Sequence, residues 1–525
     1  MSVPKFSQAT GRPESSASTE SSGLTNSSGI SDAAGQETDI DGRQDPRYQQ
    51  AVAWLWDRIN YEKLGASGSR YRFTLNRMRD LVRRLGHHQR LAPTGETRST
   101  NRSETEQSDA AVGIRTESSQ DGPSIIHIAG TKGKGSVATM VAQVLQASGH
   151  RVGLYTSPHL VHLEERFRVQ GQPASPRQMI ELIDRFRPVV DAMQAADVGG
   201  PSFFELTTAL AVEHFHRCQC DVWVLETGLG GRLDSTNVFQ SDLTAITSIG
   251  LDHQHVLGDT VEKIAAEKAG ILKPGVPAIS GVTELGPARV IVQKAEQVAA
   301  PLIQLGTDFF VRRDDSGLSA EWGESLKIDG LEPEIRSDAP IRLELEGTHQ
   351  ACNAALALAI ARQLCRSTGR KLQPDALADV TLEARLEKFR RTEGQQVLLD
   401  AAHNTDSIEA LVAVVKRRLG QHPGKLVFGT SADKDAESML RRLAEVFDSV
   451  IVTRYRRNPR FVPVEQLAKL AEVAGFHVVQ QIDDPMAALQ TALGQSSPEG
   501  WTVVCGSFFL AAEVRPFLLS PDNNC

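Results

Sequence analysis

The sequence has few cysteines, no long apolar run and no excess of basic residues. It contains 6 cysteines among 525 residues, and only Cys218 and Cys220 lie close together, so we expect neither a disulfide scaffold nor a CxxC zinc site. No window reaches about 18 consecutive apolar residues, which excludes an ordinary membrane-spanning helix. The 57 basic and 65 acidic residues give a formal charge of −8, which argues against a strongly basic nucleic-acid binder.

The N-terminal residues lack the apolar core of a signal peptide. Together with cysteines that we expect to stay reduced, this predicts a cytoplasmic protein with no membrane or nucleic-acid partner. Apolar residues make up 40% of the chain, which is enough to build a packed core.

Two stretches are too polar to offset the entropy of ordering the chain. Residues 1–46 are rich in Ser, Thr, Gly and Asp, and residues 88–122 have a similar composition. We predict a disordered tail for the first stretch and a disordered surface insertion for the second. The remaining residues suit two or three domains.

Short β-branched runs alternate with helical patterns along the ordered part of the chain. The runs are 125–130, 222–228, 243–251, 396–403, 425–430, 449–454 and 501–507. Because they are almost continuously apolar, they indicate strands buried on both faces of parallel sheets. The fold class is therefore α/β with doubly wound sheets, in which ligands bind beyond the carboxyl ends of the strands.

The strongest local motif is Gly130–Ser136, which follows the first predicted strand and opens a helix that Gly149 ends. Glycines let the backbone wrap a phosphate at a helix N-terminus. Lys134 can reach the outer phosphates, and the Ser136 hydroxyl can bind Mg²⁺. Gly135 separates the two residues, so the spacing is not the standard one, and a simple glycine-rich turn is the alternative.

Further polar residues follow two other apolar strands. Glu226 ends one strand, where a buried carboxylate needs a partner such as a divalent cation; exposure at the strand end is the alternative. Arg232 and Asp234, in the glycine-rich loop beyond it, could pair with each other. His253, after the next strand, could be a metal ligand or only a structural or exposed residue.

The remaining candidates are weaker by themselves. Residues 264–275 predict a helix that ends near Lys273, and Lys268 within it has the pattern of a surface lysine. Asn353 could read an adenine edge or could cap a helix. Asp400 and His403 stand at a strand end and suggest a site, although Asn404 could be there only as a helix cap.

Taken together, these motifs resemble the folylpolyglutamate synthase/dihydrofolate synthase family of the Mur ligase superfamily. The matching segments are HIAGTKGKGSV, YTSPHLVHLEERFRVQG, FFELTTALAVEHF, VLETGLGGRLDSTN, SIGLDHQHVLGDTVEKIAAEKAGILK, GTHQACNAALAL, LDAAHN and CGSFFLAAEV. They occur in the family's order over residues 47–87 and 123–515. The resemblance implies a Mur-ligase-like P-loop ATPase domain at 47–384 and a smaller Rossmann-like glutamate-ligase domain at 385–525.

The resemblance implies an ATP-dependent acid–amino-acid ligase. ATP would phosphorylate a carboxylate of dihydropteroate or a reduced folate, and the amine of L-glutamate would attack the acyl phosphate. The small-molecule partners would be ATP, glutamate and the folate. Two Mg²⁺ ions would bind, a monovalent cation could also bind, and the enzyme would be a monomer. The segment around His159 looks like the bifunctional bacterial form.

The resemblance also assigns roles to individual residues. The implied catalytic residues are Lys134, Lys268 and His403. The implied ATP-binding residues are Gly130, Thr131, Gly133, Lys134, Gly135, Ser136, Asn353, Arg385 and Asp400. The implied metal ligands are Ser136, Ser157, Glu226, His253 and Lys268 as a carbamate.

Three residues depart from the family pattern. Lys132 replaces an Asn in the phosphate loop, Ala384 replaces a Gly before the hinge residue Arg385, and Ala401 replaces a Gly before His403. Two alternatives stay open. The first is a sister Mur-superfamily ligase that joins amino acids to a cell-wall precursor, and the second is a nucleotide-binding regulator without turnover.

Overall fold

The computed structural model describes residues 42–58, 74–93, 122–196, 199–313, 324–329, 341–391, 394–418, 424–497 and 500–520. Most of the predicted tail, residues 1–41, and of the predicted insertion, residues 94–121, lie outside these ranges.

The first sheet has eight strands in the order β4-β3-β2-β5-β1-β6-β7-β8. Its strands are β1 (Ser124–Ala129), β2 (Val152–Tyr155), β3 (Phe167–Val169), β4 (Gln172–Pro173), β5 (Val222–Glu226), β6 (Leu243–Ile246), β7 (Ala278–Ser280) and β8 (Leu302–Gln304). Within this order the adjacent strands β2, β5, β1, β6, β7 and β8 all pair in parallel. Strand β3 pairs antiparallel with both β2 and β4. The carboxyl ends of β1, β5 and β6 therefore meet at one edge.

Helices cover both faces of this sheet. They are α1 (Pro46–Trp56), α2 (Asn76–Arg84), α3 (Lys134–Ala147), α4 (Pro176–Ala195), α5 (Phe203–Arg217), α6 (Gln254–Leu257), α7 (Val261–Ala269), α8 (Leu285–Gln297) and α9 (Thr348–Thr368). Alternate residues of β1 divide between the layers, since Ile126 and Ile128 pack towards α3 and α9 while Ile125 packs towards α1, α2, α4 and α5. This two-sided burial explains the continuous apolar strands.

A small antiparallel sheet of β9 (Phe310–Arg313), β10 (Glu324–Asp329) and β11 (Ile341–Leu343) follows β8. The sequence patterns did not predict it. These strands are short, and in β11 Ile341 and Leu343 are buried whereas Arg342 between them is exposed.

The second large sheet has six strands in the order β12-β13-β17-β14-β15-β16. The strands are β12 (Glu387–Arg390), β13 (Gln396–Leu399), β14 (Lys425–Phe428), β15 (Ser449–Val452), β16 (Val478–Gln481) and β17 (Trp501–Cys505). Only the β12–β13 pair is antiparallel. The helices are α10 (Thr405–Arg418), α11 (Ala436–Leu443), α12 (Val464–Ala474), α13 (Pro485–Gln495) and α14 (Phe508–Leu519). This doubly wound α/β unit and the first sheet confirm the predicted fold class.

All seven predicted strand runs contain an observed strand, but three boundaries were wrong. Gly42–Gln44 form a 3-10 helix and Pro46 begins α1, so order starts before residue 46. Leu91 pairs with Phe239, which anchors the start of the predicted insertion to the first domain. Helix α7 ends at Ala269 rather than near Lys273, because Gly270 occupies its C-terminal cap. No helix among the described residues is long and apolar enough to cross a bilayer.

Candidate active site

The predicted phosphate loop turns tightly between β1 and α3. Gly130 and Gly133 both have positive φ angles, of 157° and 82°. A Cβ on Gly130 would collide with the Thr247 side chain, and a Cβ on Gly133 would lie 2.6 Å from Asn353 Oδ1. The loop therefore needs glycine at both positions.

Residues that follow β6 hold the phosphate loop in place. The Thr131 amide donates to the Ser248 carbonyl at 2.7 Å, and the Thr131 hydroxyl donates to the Gly250 carbonyl at 3.2 Å. The Thr247 and Ser248 hydroxyls both donate to the Lys132 carbonyl. The sequence analysis missed these residues, although polar side chains directly after an apolar strand were the available signal.

Glu226 lies at the carboxyl end of β5, beside the phosphate loop. Its side chain is buried, a Cβ on Gly135 would lie 3.4 Å from Oε2, and the Ser157 amide donates to the same oxygen at 3.0 Å. Burial raises the pKa of Glu226 to about 7, against the opposing charge of Lys134. A buried carboxylate of this kind is suited to a cation beside the loop.

Lys268 is buried, contrary to its surface-type sequence pattern. Its Nζ donates to the Gly130 carbonyl at 2.7 Å, so α7 is tied directly to the phosphate loop. Burial, followed by the positive charge of Lys134, lowers the pKa of Lys268 to about 7. A substantial fraction of this amine is neutral at neutral pH, which is the state that reacts as a nucleophile.

Two further candidates border the loop from other elements. His253 precedes α6 with a φ of 47° and a half-exposed side chain, and burial lowers its pKa while the charge of Asp252 raises it. Asn353 on α9 contacts Gly133, and its Nδ2 donates to Gln350 Oε1 at 3.0 Å. Asn353 thus packs against the phosphate loop itself.

The second sheet contributes Asp400 at the carboxyl end of β13. This buried carboxylate accepts from the Leu386 amide at 2.8 Å and from the Ala402 amide at 2.7 Å. Burial raises the pKa of Asp400, and the nearby Arg385 opposes that rise. Asp400 therefore fixes the backbone at Leu386, one residue after Arg385, and at Ala402, one residue before His403.

His403 and Arg385 complete the polar edge of the second sheet. The His403 Nδ1–H donates to the Ala401 carbonyl at 2.8 Å, which leaves the Nε2 lone pair available, and burial lowers the pKa of His403. Asn404 Oδ1 accepts from the Ser407 amide at 3.0 Å, so Asn404 caps α10. The charge of exposed Arg385 acts on His403 and on Glu226, which places it between residues of both large sheets.

The loop after Glu226 differs from one sequence expectation. Arg232 pairs with Glu267 at 3.0 Å and not with Asp234. Buried Asp234 instead accepts from the Gly228 and Leu229 amides, each at 2.9 Å. A carboxylate six residues away fixes the glycine-rich turn, because buried backbone amides need acceptors.

The segment 157–166 lies beside Glu226. Arg166 is fully buried, its Nε donates to His159 Nδ1 at 2.8 Å, and its guanidinium lies 5.3 Å from the Phe203 ring centre. Trp56 stacks on Phe203, with ring centres 4.7 Å apart. This aromatic and cationic cluster includes residues of the segment that contacts Glu226 through the Ser157 amide.

The donor set around Glu226 fits a hard cation that takes its other ligands from phosphate and water. Within the described residues no three His, Cys, Asp or Glu side chains form a metal cluster. Mg²⁺ does not require one, because it usually binds one or two carboxylates together with substrate phosphates. The Glu226 carboxylate, with Ser136 in the first turn of α3, meets that requirement.

The second large sheet falls within a recognised domain. Residues 384–508 match the family model of the Mur ligase, glutamate ligase domain. With a glycine loop at a helix N-terminus on the first sheet and His403 on the second, fold and site define an ATP-dependent ligase of the Mur type.

Similarity to known proteins identifies the family within this class. The dihydrofolate synthase/folylpolyglutamate synthase of Bacillus subtilis is 32% identical over 473 residues, which is 89% of this chain and 98% of the relative. The folylpolyglutamate synthase of Thermotoga maritima superposes with a TM-score of 0.72 at 29% identity over 90% of this chain and 97% of that one. The Mycobacterium tuberculosis enzyme, solved with ADP, gives a TM-score of 0.74 at 30% identity over 90% and 98%. The chain belongs to the folylpolyglutamate synthase/dihydrofolate synthase family.

Proposed function

We propose that this protein is an ATP-dependent ligase that adds L-glutamate to dihydropteroate, to reduced folates, or to both. The observation that carries the proposal is the contact between two polar edges. The phosphate loop and Glu226 lie on the first sheet, Arg385 and His403 belong to the second domain, and Lys132 Nζ of the loop lies 2.6 Å from Asp406 Oδ2 on α10, three residues after His403. An acyl-phosphate ligase needs one edge for ATP and one for the incoming amine.

The first step is transfer of the outer phosphate of ATP to the substrate carboxylate. The amides of Gly133–Ser136 and the Lys134 ammonium would hold the phosphates, with Asn353 packed against the loop. Arg385 would neutralise charge on the transferring group when the two sheets face each other. Phosphoryl transfer depends on positioning and charge neutralisation, and these residues supply both.

The second step is attack of the glutamate amine on the acyl phosphate, which forms the amide and releases phosphate. The Nε2 of His403 would accept or orient the amine proton, because Nδ1–H is already committed to the Ala401 carbonyl. The lowered pKa keeps the imidazole neutral near pH 7, as a proton acceptor requires.

We propose that Ser136, Ser157 and Glu226 hold one Mg²⁺ and that His253, Glu226 and Lys268 hold a second. The cations would neutralise the phosphate oxygens. Lys268 would act as a carbamate, formed when its neutral amine adds to CO₂ and loses a proton. Its pKa of about 7 supports that reaction. Lys268→Ala is expected to lose activity, and Lys268→Arg is expected not to restore it.

We also propose a domain boundary between Ala384 and Arg385, a monomeric state and a cytoplasmic location. The hinge at Ala384–Arg385 agrees with the start of the glutamate ligase match at residue 384.

The test is phosphate release by the purified protein with ATP, Mg²⁺ and glutamate, with dihydropteroate and tetrahydrofolate supplied separately. Release with both acceptors is expected for a bifunctional enzyme, and release with one acceptor assigns a single activity. Glu226→Gln serves as the inactive control. A folded protein that binds ADP but releases no phosphate with either acceptor would contradict the folate assignment. Release only with a sugar-nucleotide acceptor would instead indicate a cell-wall ligase.

A further inference from the structure

Helix α10 of the second domain makes ion pairs with the first domain near both of its ends. Near its N-terminus Asp406 Oδ2 lies 2.6 Å from Lys132 Nζ in the phosphate loop. Near its C-terminus Arg417 Nη2 lies 2.6 Å from Glu346 Oε2. The helix therefore contacts two separate segments of the nucleotide-binding domain.

The Lys132 side chain is not part of the bracing of its own loop. The backbone amide and carbonyl of Lys132 make the contacts with Thr247 and Ser248, whereas Nζ extends away to Asp406. Both members of the pair are substantially exposed, with 49% and 79% of the side-chain surface accessible. Lys132, which departs from the family pattern, thus connects two domains through its side chain, whereas its backbone helps to set the geometry of the loop.

The second pair lies next to the N-terminus of α9. Glu346 has only 1% of its side-chain surface exposed and stands two residues before α9. Helix α9 carries Asn353, which packs against Gly133 of the phosphate loop. The two anchor points of α10 are therefore the phosphate loop and the segment that leads into α9.

His403 is rigidly attached to this helix. Asn404 caps α10, and the Ser407 hydroxyl accepts from the amides of both His403 and Asn404 at 3.2 Å. Any movement of α10 relative to the phosphate loop therefore displaces His403.

We propose that the Lys132–Asp406 and Glu346–Arg417 pairs clamp α10 across the nucleotide site and set the position of His403 relative to the phosphate loop. All four are positioning residues, since they act through His403 and touch no reacting atom. The inference rests on the proposed ligase function and adds to it the device that aligns the two domains.

The first experiment is a charge exchange at the exposed pair. Asp406→Lys and Lys132→Asp are each expected to lower kcat/KM for glutamate about fivefold, through a lower kcat and a higher KM. In each variant like charges repel at the interface, and the effect is modest because an exposed ion pair contributes little to stability. The exchanged variant Lys132→Asp/Asp406→Lys is expected to recover most of that loss. ADP affinity of Asp406→Lys should stay unchanged, since Asp406 is outside the phosphate loop.

Lys416→Glu is the matched control on the same helix. Lys416 pairs with Glu445 inside the second domain at 2.7 Å, so its reversal is expected to leave kcat and the KM for glutamate unchanged. Raising NaCl to about 0.5 M should reduce wild-type activity towards that of Asp406→Lys, because salt screens exposed charges.

The second pair is tested by Arg417→Ala and Arg417→Lys, with thermal unfolding to confirm that both variants fold. The alanine variant is expected to lose activity and the lysine variant to recover part of it, since Glu346 keeps a cationic partner. Wild-type activity in Asp406→Lys would overturn the clamp. The clamp would also be overturned if the exchanged variant failed to recover and Lys132→Asp weakened ADP binding, which would make Lys132 a direct phosphate ligand.

Small-angle scattering separates failure of the clamp from failure of the proposed function. The clamp predicts a larger radius of gyration for Asp406→Lys than for wild type and its reversal in the exchanged variant, whatever the substrate. An inactive wild type that shows this pattern would contradict only the proposed function. Identical radii for all variants would contradict the clamp.

Discussion

His127 on β1 is a buried histidine held in one protonation state by its neighbours. It is 1% exposed, and its Nε2 lies 2.7 Å from the Thr236 hydroxyl. That hydroxyl donates to Asp234, so it accepts from Nε2–H of the His127 ring. Burial, followed by the charge of Lys273, lowers the pKa of His127 to about 3.

This lowered pKa predicts acid sensitivity. Between about pH 6.5 and pH 3 the unfolded histidine binds a proton that the folded one does not, so the free energy of unfolding falls as the pH falls. His127→Gln is expected to be less stable by about 1–2 kcal/mol at pH 7.5 and to lose less further stability on acidification. Urea unfolding at pH 7.5, 6 and 5 measures how steeply the free energy of unfolding changes with pH in the wild type and in the variant. His477→Gln, at a side chain that is 81% exposed, should leave the slope unchanged.

Ala384 adopts a backbone conformation that suits glycine. It is fully buried with a φ of 49°, in the hinge where the family has glycine. Because a non-glycine residue pays about 1 kcal/mol in this region, Ala384→Gly is expected to raise the unfolding temperature. Ala402→Gly is the control, since buried Ala402 is not among the positive-φ residues and its substitution should destabilise by about 0.4–1 kcal/mol. Equal effects of both changes would contradict strain at position 384.

At the scale of elements, the β1–α3 turn followed from local sequence. An apolar run, a cluster of glycines and an amphipathic segment that ends at Gly149 predicted a strand, a phosphate loop and a helix. The observed helix is Lys134–Ala147, so it begins within the predicted loop motif and ends two residues before Gly149. Local rules worked here because glycine conformation and apolar periodicity act within the element itself.

Gly133→Ala tests this element. An added Cβ would strain a φ of 82° and meet Asn353 Oδ1 at 2.6 Å, so ADP affinity is expected to fall about tenfold or more while the protein stays folded. Gly494→Ala in α13 is the control, because nothing lies within 4 Å of its added Cβ. That change should stabilise α13 by about 0.5–1 kcal/mol and leave ADP binding unchanged. Calorimetric titration with ADP would contradict the prediction if both variants bound like wild type.

At the scale of the whole molecule, the positive charge of Arg385 acts on groups of both large sheets. It affects Glu226 on the first sheet and Asp400 and His403 on the second. Arg385→Ala is expected to lower kcat about 100-fold, because charge on the transferring phosphoryl group is no longer neutralised. ADP affinity should change little, since the phosphate loop is intact.

The control for Arg385 is Arg390→Ala, an exposed arginine at the end of β12. Its activity should stay close to wild type. Phosphate-release kinetics with folate and glutamate compare the two variants. An Arg385→Ala enzyme that keeps kcat but binds ADP much more weakly would place the residue in nucleotide binding alone.

The sequence by itself determined the α/β class, seven strand positions, the phosphate loop and the polar residues at the strand ends. Each of these features follows from the apolar pattern of a segment or from the backbone preference of a residue, and both are local properties. Only the tertiary structure decided that Lys268 is buried on the Gly130 carbonyl, that Arg232 pairs with Glu267, and that Lys132 reaches Asp406 across 274 positions. Burial and charge pairing depend on which distant segments the fold brings together, and no local pattern encodes that proximity.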